Sequence, residues 1–120
     1  MEGKAFFILR LNDHIQYLRK IQATLEGTGD FHGTDYHDCK LGKWLYSTGP
    51  AEAEAAGPEA KALFDSLFEP HQRFHDASHS AIDKKEAGDE AGSQAEVTEM
   101  MKLSVSLVDN LLALDKAAKS

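Results

Sequence analysis

The chain has 120 residues and a mass of 13.2 kDa, which is one domain's worth at about 100–200 residues per domain. Its 20 acidic and 13 basic side chains leave a net charge of −7 with histidines neutral. That argues against nucleic acid or an anionic membrane as partner, since both reward a basic face. A single cysteine excludes an intrachain disulfide and fits a reducing cytoplasm. The N-terminal residues form no signal-peptide apolar block, and no run approaches the roughly 20 apolar residues of a membrane span. With 42% hydrophobic and 28% charged residues, the expectation is a soluble globular domain spanning 1–120.

Glycine and proline divide the chain into helical runs. The first, 4–26, steps through Phe7, Leu11, His14, Leu18, Ile21 and Leu25, a seam at coiled-coil spacing that contains a histidine. Gly27 is placed to close it. A short piece over 34–48 follows, interrupted only by Gly42 and closed by Gly49-Pro50. The Ala/Glu-rich stretch 51–56 reads as a solvated linker. Gly57-Pro58 then opens a third helical region, with a short helix over 59–69 and a longer one over 71–87. Pro70 should bend or restart the helix between them. Phe64, Leu67, His71, Phe74 and Ser78 form its inner seam, with His75 on the flank. After Gly88, the spacing of Ser93 and Glu96 resembles a capping box and starts the last helix at 93. Its broad stripe of Val97, Met100, Met101, Leu103, Ser104, Leu107, Val108, Leu111 and Leu114 can cover two neighbours. The expected fold is all-α, an antiparallel four-helix bundle with an additional short helix around Cys39.

The polar members of these apolar faces carry the functional signal, because a buried imidazole costs free energy unless its nitrogens find partners. His71 and His75 are four apart and leave one helix face with Cβ atoms about 5–6 Å apart. That suits two ligands of one ion. His79 extends the row, but about 12 Å of rise separates it from His71, so spacing allows the pair 71/75 or the pair 75/79. Cys39, followed by Leu41, Gly42, Trp44 and Leu45, has the apolar packing from which a thiolate ligand gains most, which makes it a candidate to complete a site with the histidines. Each residue also has a plainer reading. His14 suits a hydrogen-bonded core histidine, Cys39 a small buried hydrophobe, Trp44 and Tyr46 core aromatics, and His32 and His37 solvated loop residues.

Cys39-Lys40-Leu41-Gly42-Lys43-Trp44-Leu45 resembles the signature of the chemoreceptor zinc-binding (CZB) domain family. Asp13-His14 with Tyr17 is similar to the family's Asp-His and following aromatic, with tyrosine where tryptophan is common. Pro70-His71-Gln72-Arg73-Phe74-His75 looks like its closing histidine pair. The resemblance runs over about 6–82, and the last helix, about 94–118, carries no motif of the family.

What the resemblance implies is a helical bundle binding one Zn2+ through His14, Cys39, His71 and His75, which settles the pair as 71/75. Four filled corners leave no open position for water, so the implied zinc is structural or sensory and the protein is not an enzyme. The resemblance further implies a cytoplasmic bacterial regulator and a homodimer. Its output module would be a chemoreceptor signalling region or a diguanylate cyclase, in cis or in trans, linking it to chemotaxis or cyclic-di-GMP synthesis. The chain is then a free-standing member or a piece of a larger protein. The signal would be zinc itself, or an oxidant such as hypochlorous acid acting on a redox-sensitive Cys39. Two rivals are a metal-free helical dimerisation scaffold and a haemerythrin-like di-iron bundle, which would need inward carboxylates at helical spacing from histidine.

Overall fold

A computed structural model describes the backbone of residues 2–119 and the side chains of residues 7–118. The described residues form six α-helices and no strand: α1 (Glu2–Leu25), α2 (Lys40–Leu45), α3 (Gly49–Ala55), α4 (Pro58–Asp65), α5 (Phe68–Glu86) and α6 (Glu90–Lys119). The all-α expectation holds. The 30 residues of α6 rise about 45 Å, nearly the 48 Å long axis of the molecule.

Helix α1 stops where glycine can take a left-handed conformation. Gly27 has φ 84°, and the N–H of Thr28 reaches back to the carbonyl of Ala23 at 2.9 Å, satisfying an otherwise orphaned acceptor. From there residues 26–39 cross the bundle as a strap without helix. The last helix starts three residues earlier than the Ser93/Glu96 spacing suggests. Asp89 is the cap, accepting the Gly92 N–H at 2.9 Å, while the Ser93 hydroxyl donates to the carbonyl of Ala81 on α5 at 2.8 Å. A tertiary partner has displaced the local capping role. Helix α6 runs back along α5, with Arg73–Glu99, Lys84–Glu96 and Lys85–Glu90 pairs at 3.0–3.2 Å along the exposed seam.

Two further expectations are corrected. Residues 51–56 are not a solvated linker. Gly49-Pro50 opens α3 instead of closing the preceding piece, with proline in the first turn where its missing N–H costs nothing. Ala53 is fully buried, and Glu52 accepts the indole N–H of Trp44 at 3.0 Å. The break in the third helical region falls at Ser66-Leu67, before Pro70. Starting α5 at Phe68 puts Pro70 in a first turn, whose N–H groups have no intrahelical acceptor in any case.

The core joins all of these pieces. Phe7 and Ile21 of α1, Leu45 of α2, Phe64 of α4, Leu67, Phe74 of α5, and Met100, Leu107, Leu111 and Leu114 of α6 are buried together. On α6 the inward face centres on Met100, Leu103, Ser104, Leu107, Leu111 and Leu114, with Val97, Met101 and Val108 only half-buried. Trp44 sits edge-on to Phe7 and Phe64, with ring centroids at 5.8 and 5.3 Å. The Cys39-to-Trp44 block is thereby fixed against α1 and α4.

Candidate metal centre

Cys39 is the N-cap of α2. Its Sγ accepts the Gly42 N–H at 3.2 Å, the position a serine or aspartate oxygen takes in an ordinary cap. The thiol lies 3.7 Å from the carbonyl oxygen of Tyr36 and 3.3 Å from Nε2 of His71. Burial pushes its pKa up, opposed by the backbone N–H groups of Gly42 and Leu41. A bound cation would reverse that balance and favour thiolate. Gly42 is dictated by the strap. A Cβ there would lie 1.9 Å from the carbonyl oxygen of Tyr36, so only glycine lets residues 36–37 cross the helix and deliver Cys39.

His71 and His75 are one turn apart on α5, both buried. One donor atom each from Cys39, His71 and His75 lies within 4.8 Å of the others, and among the described residues this is the group able to hold a metal. Of the two pairs left open by spacing, the structure brings 71/75 together with Cys39. His79 instead packs its ring 6.1 Å from that of His75, over Gly33 of the strap. Burial, with mutual repulsion adding to it, lowers the pKa of His71 to about 3. Burial lowers that of His75 to about 4, against the raising effect of the Thr34 hydrogen bond. Both imidazoles are neutral near pH 7, the form that ligates.

His14 is buried on α1, with its ring edge on Phe74 at 4.7 Å and its Nε2 2.9 Å from the hydroxyl of Ser104 on α6. Burial first, and His75 second, lower its pKa to about 4. It is a neighbour of the three-residue group and stands outside it. His32 and His37 are exposed, as expected for loop histidines, and each meets a carboxylate, Glu86 and Asp35 respectively.

The donor set fits zinc. Two imidazoles and one sulfur are borderline-soft ligands, and tetrahedral zinc holds such donors roughly 3.3–3.6 Å apart, the separation Cys39 and His71 already show. Nδ1 of His71 is buried with no hydrogen-bond partner. It is the ring nitrogen turned away from Cys39, since Nε2 is the one that faces Sγ at 3.3 Å, so Nε2 is the atom His71 offers to an ion shared with Cys39.

Two contributors lie outside the candidate ligand set. The Tyr17 hydroxyl accepts the Thr34 N–H at 2.9 Å and lies 3.2 Å from Nδ1 of His75. The Thr34 carbonyl lies 3.1 Å from the same nitrogen. The aromatic after His14 is thus in contact with a candidate ligand. Its three-residue spacing from His14 places it on the same helix face, a signal available in the sequence, whereas nothing in the sequence marks a backbone carbonyl of the strap.

The family model for the chemoreceptor zinc-binding domain matches residues 14–82, more than half of the chain and a span that contains His14, Cys39, His71 and His75. Comparisons with curated proteins and with solved structures return no match. The family and the buried Cys39/His71/His75 group together identify the ion as Zn2+. No helix among the described residues is long and apolar enough to cross a membrane.

Proposed function

Because the chain belongs to the chemoreceptor zinc-binding domain family, a sensory and regulatory family and not a catalytic one, we propose that it is a cytoplasmic zinc-dependent sensor without enzymatic activity. In this reading residues 1–120 are one domain, and His14, Cys39, His71 and His75 hold one Zn2+. The observation that carries it is the convergence of Cys39, His71 and His75 in a buried group with donors within 4.8 Å.

When bound, zinc supplies positive charge that keeps the Cys39 sulfur as thiolate. The residues do the rest. Cys39 brings α2 and the end of the strap, His71 and His75 bring α5, and His14 brings α1 by exchanging its hydrogen bond to Ser104 for the ion. Elements held together in one state and free in another are a two-state device. The input is zinc availability, or an oxidant such as hypochlorous acid, which would convert the Cys39 thiolate to a sulfenic acid with release of chloride and so remove a ligand. The readout passes to a chemoreceptor or diguanylate cyclase module, in cis or in trans, from a homodimer.

A metal-free helical scaffold is favoured by one observation, the satisfied His14–Ser104 hydrogen bond, and opposed by the burial of Cys39, His71 and His75 with their donor atoms together. A di-iron bundle finds no carboxylate in the donor group. Metal analysis of protein purified without added metal tests the choice. One zinc per chain supports the sensor, and a metal-free chain that takes up no zinc overturns it.

A further inference from the structure

The strap is tied to the metal centre at a single residue. Thr34 donates its N–H to the Tyr17 hydroxyl at 2.9 Å and turns its carbonyl toward Nδ1 of His75 at 3.1 Å. Tyr17 Oη stands 3.2 Å from that nitrogen and 3.5 Å from the Thr34 carbonyl oxygen. The phenol ring is held edge-on by Phe31 of the strap at 5.3 Å and by Phe74 at 6.1 Å. These three polar groups form a closed set between α1, the strap and α5.

The chemistry of the set fixes where the proton of His75 lies. A carbonyl oxygen only accepts, so a nitrogen facing it at hydrogen-bond distance must carry the proton. Nδ1 of His75 is therefore N–H, shared between the Thr34 carbonyl and Tyr17 Oη, and the lone pair is on Nε2. Tyr17 Oη is the acceptor that holds the Thr34 peptide in this orientation. Phenylalanine would keep the ring and remove the acceptor, leaving the Thr34 N–H without its partner and the carbonyl free to turn away.

We propose that Tyr17 is a positioning residue of the metal centre: its hydroxyl anchors Thr34 so that the carbonyl and Oη together hold the Nδ1–H of His75 and present Nε2 to the ion. The inference rests on the zinc-binding reading above. It assigns the strap a role in ligand geometry as well as in chain connection, and it makes the tyrosine hydroxyl a determinant of zinc affinity in this chain.

The test compares zinc affinity, by competition with a chromophoric chelator, in wild type, Tyr17→Phe, Thr24→Val and Cys39→Ser. Thr24→Val removes a different strap anchor, the hydroxyl that donates to the carbonyl of Phe31, without touching His75. Loss of a group that orients a ligating histidine weakens metal binding by about 10–100-fold. That is the result expected for Tyr17→Phe, with Thr24→Val within about twofold of wild type on the same criterion. Equal affinity for wild type and Tyr17→Phe, or an equal loss in Thr24→Val, overturns the inference while leaving the zinc reading intact if Cys39→Ser still abolishes binding. No binding by wild type overturns both. Imidazole 15N shifts of zinc-free wild type give a reading that needs no variant: His75 should be the Nδ1–H tautomer, and the Nε2–H tautomer contradicts the proposal.

Discussion

Nε2 of His14 lies 2.9 Å from the hydroxyl of Ser104, which joins α1 to α6 through an imidazole of the proposed zinc ligand set. The same nitrogen cannot hold both partners at once. Ser104→Ala therefore removes a buried hydrogen bond, at a cost of about 1–2 kcal/mol in zinc-free protein, or roughly 4–8 °C in Tm. With zinc bound the loss should shrink toward zero, because the ion replaces Ser104 as the partner of His14. Calorimetry with and without zinc checks this, and an equal loss in both states excludes Nε2 of His14 as a zinc donor.

Acid should unfold the zinc-free protein early. His14, His71 and His75 have pKa values of about 4, 3 and 4 through burial, against about 6.5 in the unfolded chain. The unfolded state therefore binds more protons below pH 6.5. Stability is full above that pH and falls as pH drops toward 4, by about 2 kcal/mol per histidine at pH 5. Urea unfolding in chelator at pH 7.5 and pH 5 measures it, and equal midpoints would contradict the burial of neutral imidazoles.

Gly42→Ala raises helix propensity by about 1 kcal/mol yet should destabilise. The added methyl lies 1.9 Å from the Tyr36 carbonyl oxygen, and the strap must lift to admit it. A net loss of about 2–3 kcal/mol, together with weakened zinc binding as Cys39 shifts, is expected from thermal unfolding and metal titration. A neutral substitution would mean that the strap does not cross α2 this closely.

Glu52→Ala probes the α2–α3 junction alone. It leaves the Trp44 indole N–H without its acceptor, at about 1 kcal/mol, and should leave zinc affinity unchanged. Equilibrium denaturation and the same chelator competition separate the two effects. A large drop in zinc affinity would mean that Trp44 transmits strain to Cys39.

The helices were largely legible because glycine and proline mark their ends. Gly27 and the Gly57-Pro58 step stand where local chemistry requires them. What misled was competition from tertiary partners. Ser93 reads as a cap but bonds across to Ala81, and the Ala/Glu run 51–56 reads as linker because a single buried alanine, Ala53, leaves almost no hydrophobic pattern. Helix spacing brings His75 forward but leaves its partner open between His71 and His79. The resemblance of the Cys39 block and of the stretch from Pro70 to His75 points to Cys39 and the pair 71/75. The place of His14 does not follow from spacing, since the step that puts it in the seam serves a hydrogen bond to Ser104 as well as a metal. Tyr17 looked like a mild exchange of one aromatic for another, and its hydroxyl found partners only when the strap folded over it.

Zinc affinity of wild type against Cys39→Ser and His75→Ala bears most directly on the whole account. The expected result is one tightly bound zinc per wild-type chain, lost or weakened by orders of magnitude in each variant, with the Tm rise on zinc addition lost alongside. Unchanged affinity and Tm in both variants would show that this sulfur and this imidazole do not hold the ion.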